Sequence, residues 1–580
     1  MVCWKTIGER FGMQNTNIDT EEIVENGGYI SKLFLNNGKE IDINKNDIVI
    51  FVGPNNAGKS QALKDIYEIC ETKKPSIVVK DIKIVKHAGD IKMFFENIST
   101  VNDHGTYKNY EGLGYSFASH SISGDSRDKY YGSARSLFVA YLNTLNRLTM
   151  SNPANLISRK AAKKNPIHYV AFDRTYREWL SENFKQAFSK ELMPHTLNGS
   201  NIPLCIGDAV KFDKDFIDEQ ERMEEYAAIL DTYKQVQEQG DGIKSFTGIL
   251  LYLMLDYYCT FLIDEPESFL HPPQANIMGR IIGKTLRENQ QAFISTHSEE
   301  IIKGLLDVCP ERVKIVRITR EEDVNEFSVL ENEKFNEVWN DPLLKYSNIM
   351  TSLFHKNVIL CESDSDCKFY SIIENYIKQL EGKYSETLFI HCGGKHRMAK
   401  TATALKALNV NVKLVPDIDV MNDEKVFKGI VEAFGVEWTS IQKDYNTVVS
   451  NLHSPKEEIK RNDAKTNINR VLDSSTNKVL SKGEIKSIRE AIATISKWDN
   501  IKKAGCASLP AGNATVSFKK MDGILRTVGI YMVSVGELER FVKEVGGHGP
   551  EWANTVLETY PDLDNEVYDE VKKFVKQFSS

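Results

Sequence analysis

The stretch Ile48-Val-Ile-Phe-Val52-Gly53-Pro-Asn55-Asn56-Ala-Gly58-Lys59-Ser60 decides how the first half of the chain folds. Residues 48 to 52 are consecutive β-branched or aromatic side chains, the composition of a strand buried on both faces. After Ser60 the apolar positions fall at Ala62, Leu63, Ile66 and Ile69, which is helical spacing. The segment 53 to 59 is therefore a Gly-containing loop from strand to helix, and 53 to 60 fits GxxxxGK[ST]. Glycines let backbone N–H groups curl round phosphate oxygens, and the helix N-terminus adds positive potential. The pattern predicts a nucleotide site lined by Gly53, Asn55, Asn56 and Gly58, with Lys59 on the β and γ phosphates and Ser60 on Mg²⁺.

Upstream, residues 29 to 35 (YISKLFL) read as another strand, followed by an Asn-Gly turn signal. Downstream, strands are expected at 259 to 263 (CTFLI), 291 to 295 (QAFIS) and 313 to 317 (VKIVR), alternating with helices as an α/β sheet requires. The first of these runs into Asp264-Glu265, delivering two carboxylates to the crevice where open α/β sheets bind ligands. Asp264 is expected to hold Mg²⁺, and Glu265 to orient and deprotonate the attacking water. The strand 291 to 295 ends at Ser295-Thr296-His297-Ser298, which brings His297 within reach of a γ-phosphate. ATP with Mg²⁺ is the cofactor this arrangement implies.

The chain has 580 residues, enough for several folded units, and its 41% hydrophobic and 27% charged content is ordinary globular usage. Lys plus Arg is 73 against 81 for Asp plus Glu, a formal −8 that excludes a uniformly basic DNA-coating protein. The longest apolar stretch, residues 248 to 263, is too short to span a membrane and contains Asp256. The start, MVCWKTIGERFG, lacks a signal-peptide pattern, and the nine cysteines form no CxxC pair, so a cytoplasmic protein with reduced thiols is expected. Between about 90 and 235 lie Gly/Ser-rich patches, a basic stretch at Arg159 to Lys164 and a polar helical pattern at 213 to 239, together read as an insertion.

A second α/β series follows a boundary placed at 345 to 355, with strands expected at 357 to 361, 387 to 391, 412 to 416 and 529 to 533. The first ends in Glu362-Ser-Asp364-Ser-Asp366 and the third in Asp417-Ile-Asp419, so neighbouring strands can gather acids at one edge. Clustered hard oxygen ligands suit Mg²⁺ or Mn²⁺, and paired ions can clamp the attacking and leaving oxygens of a phosphodiester. Lys395, His396, Arg397 and Lys400 follow a Gly393-Gly394 turn, and the polar helical interval 424 to 510 contains, over 452 to 503, twelve Lys/Arg against seven Asp/Glu. These could track a DNA backbone.

The segments GPNNAGKS, LIDEPESFLHP and STHS resemble the ABC-type ATPases of the SMC and OLD (overcoming lysogenization defect) kind. That resemblance implies two heads sandwiching ATP, with a signature segment of one head closing on the other's nucleotide. Its candidate is Gln239 to Ser245, through Gly242, Lys244 or Ser245. The second half resembles a Toprim domain in its Glu362, Asp366, Gly-Gly turn and Asp417-x-Asp419. The stretch Ser517 to Glu539 resembles the C-terminal part of OLD nucleases, which implies that Lys519 or Lys520 stabilises the pentavalent phosphate and that Glu537 or Glu539 adds a metal ligand.

The fold expected is thus α/β throughout: an SMC-like P-loop ATPase head over 1–350 with an inserted dimerisation element, then a Toprim domain over 351–580 with a helical, basic insertion. The resemblance implies an ATP-regulated DNA endonuclease of bacterial antiphage defence. It would form a homodimer or higher oligomer and pair with a helicase-like protein or a retron reverse transcriptase carrying its DNA. Two other readings stay open: a non-cleaving SMC or repair-type ATPase, and a Toprim enzyme acting through a covalent tyrosine, for which no companion domain is identified among the segments bearing the 23 tyrosines.

Overall fold

In the computed structural model the chain divides into two compact units, residues 1–336 and 337–580. The structure describes residues 27–579 apart from 88–90, 114, 120–128, 213–216, 256, 323, 331–348, 451, 453–459, 476–478 and 492–496. The boundary expected at 345 to 355 lies partly outside the described residues.

In the first unit, β1 (Gly28–Leu35) pairs antiparallel with β2 (Glu40–Asp42) and β4 (Val79–Lys86). β3 (Ile48–Val52) belongs to a different, six-stranded sheet and feeds α1 (Lys59–Glu71). The other strands of that sheet are β5 (Val139–Leu142), β6 (Thr260–Asp264), β7 (Gln291–Ser295), β8 (Val313–Glu321) and β9 (Val324–Val329), in the order β9-β8-β3-β7-β6-β5. All pairings are parallel except the β8–β9 hairpin. Every residue of β3 and β7 is buried: β3 is apolar throughout, and β7 sets Ala292, Phe293 and Ile294 between Gln291 and Ser295, whose side chains are hydrogen-bonded. Phe51 and Phe293 stack between these strands at 6.4 Å. Register sets Phe51 opposite Ser295 and Ser295 opposite Asp264, so the P-loop and the acid pair emerge at the same edge with one strand between them.

Two expectations for the interval 90 to 235 change. It is not a clean insertion, because Val139-Ala-Tyr-Leu142 completes the main sheet by pairing with β6, and it also contains a three-stranded antiparallel sheet over 100–118. The long polar helix expected at 213 to 239 is shorter, Glu219–Asp231. Asp218 caps its start through Glu221 N, and past its end Lys234–Gln235 pairs with the strand Leu204–Gly207.

In the second unit, β10 (Asn357–Cys361), α2 (Asp364–Leu380), β11 (Thr387–His391), α3 (Met398–Ala407) and β12 (Asn411–Val415) form a parallel sheet ordered β11-β10-β12. The first strand is central, so successive connections leave it toward opposite sides and a crevice opens at the C-terminal ends of β10 and β12. The fourth strand expected at 529 to 533 does not form a regular ladder. Only the bridges Leu414–Ile530 and Asp417–Val533 occur, because Pro416 has no N–H to continue the pairing. Helices occupy most of the described residues from 424 to 504. Among the described residues, no helix is long and apolar enough to cross a membrane.

The core of the second unit packs α2 against the C-terminal helices Gly549–Thr559 and Asp569–Ser579. Trp552 is fully buried there, 5.1 Å from the Phe369 ring, and donates to Val545 O. Trp552→Ala is expected to cost about 3–5 kcal/mol, seen as a lower urea midpoint by circular dichroism.

Candidate functional site

Gly53 and Gly58 take the positive φ values of 143° and 95° that shape the loop after β3. A Cβ at Gly53 would sit 1.9 Å from the Ile318 carbonyl of β8, so no other residue fits there. Lys59 is buried, and its Nζ donates to Gly53 O at 2.9 Å and Pro54 O at 2.8 Å, which places the ammonium inside the curl of the loop. Burial lowers its pKa to about 8, opposed by the charges of Glu265, Glu267 and Asp264. Asn55, Asn56 and Ser60 are exposed along the mouth of the loop.

Asp264 accepts a short hydrogen bond from the Ser295 hydroxyl. Glu265 follows with a left-handed φ of 47°, its N–H donating to Ser295 O at 2.9 Å and its Oε1 3.7 Å from His297 Nε2. Burial and then Lys59 lower the His297 pKa, favouring the neutral imidazole. Glu267, to which the sequence assigned no role, accepts from His297 N at 2.6 Å, and burial raises its pKa to about 7. The acid pair, Lys59 and His297 thus share one cleft. Arg147 was missed as well. It is fully buried behind the acid strand and donates to the carbonyls of both Asp264 and Glu265.

The signature candidate opens the helix α4 (Asp241–Leu253). Gly242 packs on the segment after β6, since a Cβ there would lie 2.5 Å from Phe269 O. Lys244 pairs with Asp241 at 3.5 Å. Ser245 is corrected: it is fully buried and accepts from Arg147 Nε at 3.1 Å, so its hydroxyl faces the interior of its own unit rather than a nucleotide on another.

In the second unit five of the six expected metal-ligating acids gather in two adjoining groups, and Asp366 lies beside them. Oxygens of Glu362, Asp417 and Asp419 lie within 4.8 Å of one another, as do ligand atoms of Glu537, Glu539 and His548. Lys502 joins the groups, 3.9 Å from Asp419 Oδ2 and 3.6 Å from Glu537 Oε2. Asp366 faces both Asp417 and Glu539 electrostatically. It also completes a capping box with Ser363, accepting from Ser363 N at 2.8 Å, so a serine suits the turn between strand and helix. Burial, then Asp366, Glu362 and Asp419, push the Asp417 carboxyl well above its ordinary range. Burial and then Asp419 raise Glu362, and burial raises Asp366. Glu362 Oε2 is buried with no hydrogen-bond partner, which fits a carboxylate awaiting a cation.

Lys519 and Lys520 are both exposed on the helix Asn513–Thr527, and Lys520 pairs with Asp444 at 2.8 Å rather than with one of the clustered acids. The lysines at the acids among the described residues are Lys395, 3.2 Å from Asp419 Oδ2, and Lys502, and Arg540 also pairs with Glu537 at 2.6 Å. Lys502 reaches them because Gly536 lets the helix Lys497–Ala504 approach: a Cβ there would be 2.2 Å from Lys502 O. A readable signal existed in the glycine immediately preceding Glu537 and in the basic end of the helical interval.

Residues 152–303 match the family described as "AAA domain, putative AbiEii toxin, Type IV TA system". Old nuclease of Escherichia phage P2 is 23% identical over 167 residues, covering 28% of this chain and 28% of that protein. An uncharacterized Methanocaldococcus jannaschii protein is 36% identical over 69 residues, 12% of this chain and 60% of its own. The chain therefore spans 28% and 60% of the lengths of these curated relatives. The SMC head domain from Thermotoga maritima is 13% identical with a TM-score of 0.29, across 52% of this chain and 99% of that one. The residues matched to the AAA-domain family include the strand-terminal acids Asp264 and Glu265, which lie in one cleft with the phosphate loop on an α/β sheet.

Proposed function

We propose that this chain is a metal-dependent DNA endonuclease of OLD type, in which a Toprim-like second unit cuts phosphodiesters and ATP at the first unit regulates the cutting. The observation that carries this reading is the convergence of Glu362, Asp366, Asp417, Asp419, Glu537 and Glu539, with Lys395 and Lys502, at the crevice of the β11-β10-β12 sheet. Glu362, Asp417 and Asp419 would hold one Mg²⁺ or Mn²⁺, and Glu537 and Glu539 a second. Bound there, the ions would offset the charge that develops on the attacking and leaving oxygens. Lys502 and Lys395 attract the DNA phosphate and hold it against the acids. In the first unit, Lys59 draws in the triphosphate, Asp264 with Ser60 holds its Mg²⁺, and Glu265 orients water for hydrolysis. Resemblance to OLD nucleases extends the proposal to dimerised heads, action in antiphage defence and a helicase-like or reverse-transcriptase partner.

Cleavage of plasmid DNA with Mg²⁺ or Mn²⁺ tests the reading. Asp417→Asn is expected to lower the rate by at least about a hundredfold; no cutting by the wild type under any metal or nucleotide condition would sink it. The same variant tests the cation site without activity. Raised carboxyl pKa values mean that the folded metal-free protein holds more protons than the unfolded chain, so its stability falls as pH rises from the ordinary carboxylate value near 4 toward the raised values. Mn²⁺ should raise the melting temperature more at pH 7.5 than at pH 5.5. Asp417→Asn should melt higher than wild type without metal and respond less to it.

The two lysine assignments separate cleanly. Lys502→Ala is expected to slow cleavage by about tenfold or more, whereas Lys519→Ala and Lys520→Ala stay near wild type. For the head, Glu265→Gln should bind ATP normally and lose turnover by about a hundredfold or more; normal turnover would remove Glu265 as the base.

A further inference from the structure

Arg147 is fully buried, and its guanidinium joins three segments of the first unit. Nε donates to Ser245 Oγ on α4 at 3.1 Å, Nη1 to Leu142 O at the end of β5 and to Asp264 O, and Nη2 to Glu265 O at 2.9 Å. The backbones are equally close. A Cβ at Gly248, on the same helix as Ser245, would lie 2.6 Å from Arg147 O. The helix and the arginine therefore cannot shift independently.

Glu265 adopts a left-handed backbone that a non-glycine residue keeps only when its surroundings hold it. Its supports are Ser295 O, which accepts the Glu265 N–H, Arg147, which donates to Asp264 O before and Glu265 O after that residue's Cα, and Ser268, whose N–H donates to Glu265 O and whose hydroxyl donates to Glu265 Oε2 at 3.1 Å. The carboxyl of Glu265 then faces His297 at 3.7 Å. We propose that Arg147 is a positioning residue that makes the orientation of Glu265 depend on the placement of α4, with Ser245 as the transmitting contact. The helix begins at Asp241, in the segment expected to meet the nucleotide of a second head, so closure of two heads would be felt at Glu265 through one side chain. This rests on the ATPase reading of the first unit and adds a route by which assembly controls hydrolysis.

The test uses the full chain with Ser245→Ala, Arg147→Lys and the double variant. Steady-state ATP hydrolysis, equilibrium binding of a fluorescent ATP analogue and melting temperature are measured for each. Ser245→Ala is expected to lower kcat about tenfold, and Arg147→Lys about a hundredfold, with KM and analogue affinity within about twofold of wild type. The double variant should match Arg147→Lys alone, since both losses run through one contact. Ser245→Ala at wild-type kcat, a joint fall of kcat, affinity and melting temperature, or losses that multiply in the double variant would each overturn the proposal. If Arg147→Lys fails to fold, Ser245→Ala decides by the same split of kcat against KM. Failure of the underlying reading looks different: the wild type binds the analogue and never hydrolyses ATP.

Discussion

Parallel strands in register deliver the residues that follow them to one edge, and both sites depend on that constraint. In the first unit Phe51, Ser295 and Asp264 lie side by side across β3, β7 and β6, so the loop carrying Lys59 and the acids at 264 and 265 open onto one cleft. The Ser295 hydroxyl to Asp264 bond ties the middle strand to the acid strand at that edge. In the second unit Cys361 pairs with Val415, which places Glu362 and Asp417 beside each other where the connections of the sheet diverge. A slip of one residue in either register would turn the strand-terminal acids away from their partners.

Bringing acids together has an electrostatic consequence that the surroundings only partly relieve. Glu537 is held by Arg540 at 2.6 Å, Glu539 by His548 at 2.6 Å, and Asp419 by Lys395 at 3.2 Å. Among the described residues Asp417 has no such ion pair, and the more distant Lys502 partly offsets the three acids that raise it. The charge deficit is therefore concentrated at Asp417 and Glu362, the residues at the strand ends, while the outlying acids are satisfied by protein.

Local signals made much of this legible. The strands at 48–52, 291–295, 357–361 and 387–391 carry short apolar runs, the last three with polar residues only at their ends, and they form at those residues. Glu362, Asp366, Asp417 and Asp419 were readable because each lies within five residues of a strand end. What escaped depends on contacts between distant segments. Lys502 reaches Glu537 through glycine packing across more than thirty residues of sequence, and nothing in SFKK distinguishes Lys519 and Lys520 from an exposed helix face. Arg147 reads as an ordinary surface cation until β5 is seen to edge the sheet. Ser245 reads as a signature serine until its helix is turned inward. The stretch GIYMV has strand composition, and a single proline on its neighbour prevents the ladder.

Burial acts on the ionisable groups of both sites. In the first unit it lowers the pKa of Lys59 to about 8 and of Arg147 to about 10 against the pull of Asp264, Glu265 and Glu267, and it raises that of Glu267 to about 7, so groups of both signs are held out of water there. In the second, burial and mutual repulsion raise Asp417, Glu362 and Asp366, anions with too little positive charge beside them. An anionic ligand near Lys59 would favour its charged form against that burial, and a cationic one near Asp417 would relieve the repulsion among its acids. Each unit would then gain stability from the ligand of opposite sign in proportion to how strongly the folded site prefers it. A polyphosphate would bring the first kind of charge and, on the proposed reading, a divalent ion the second.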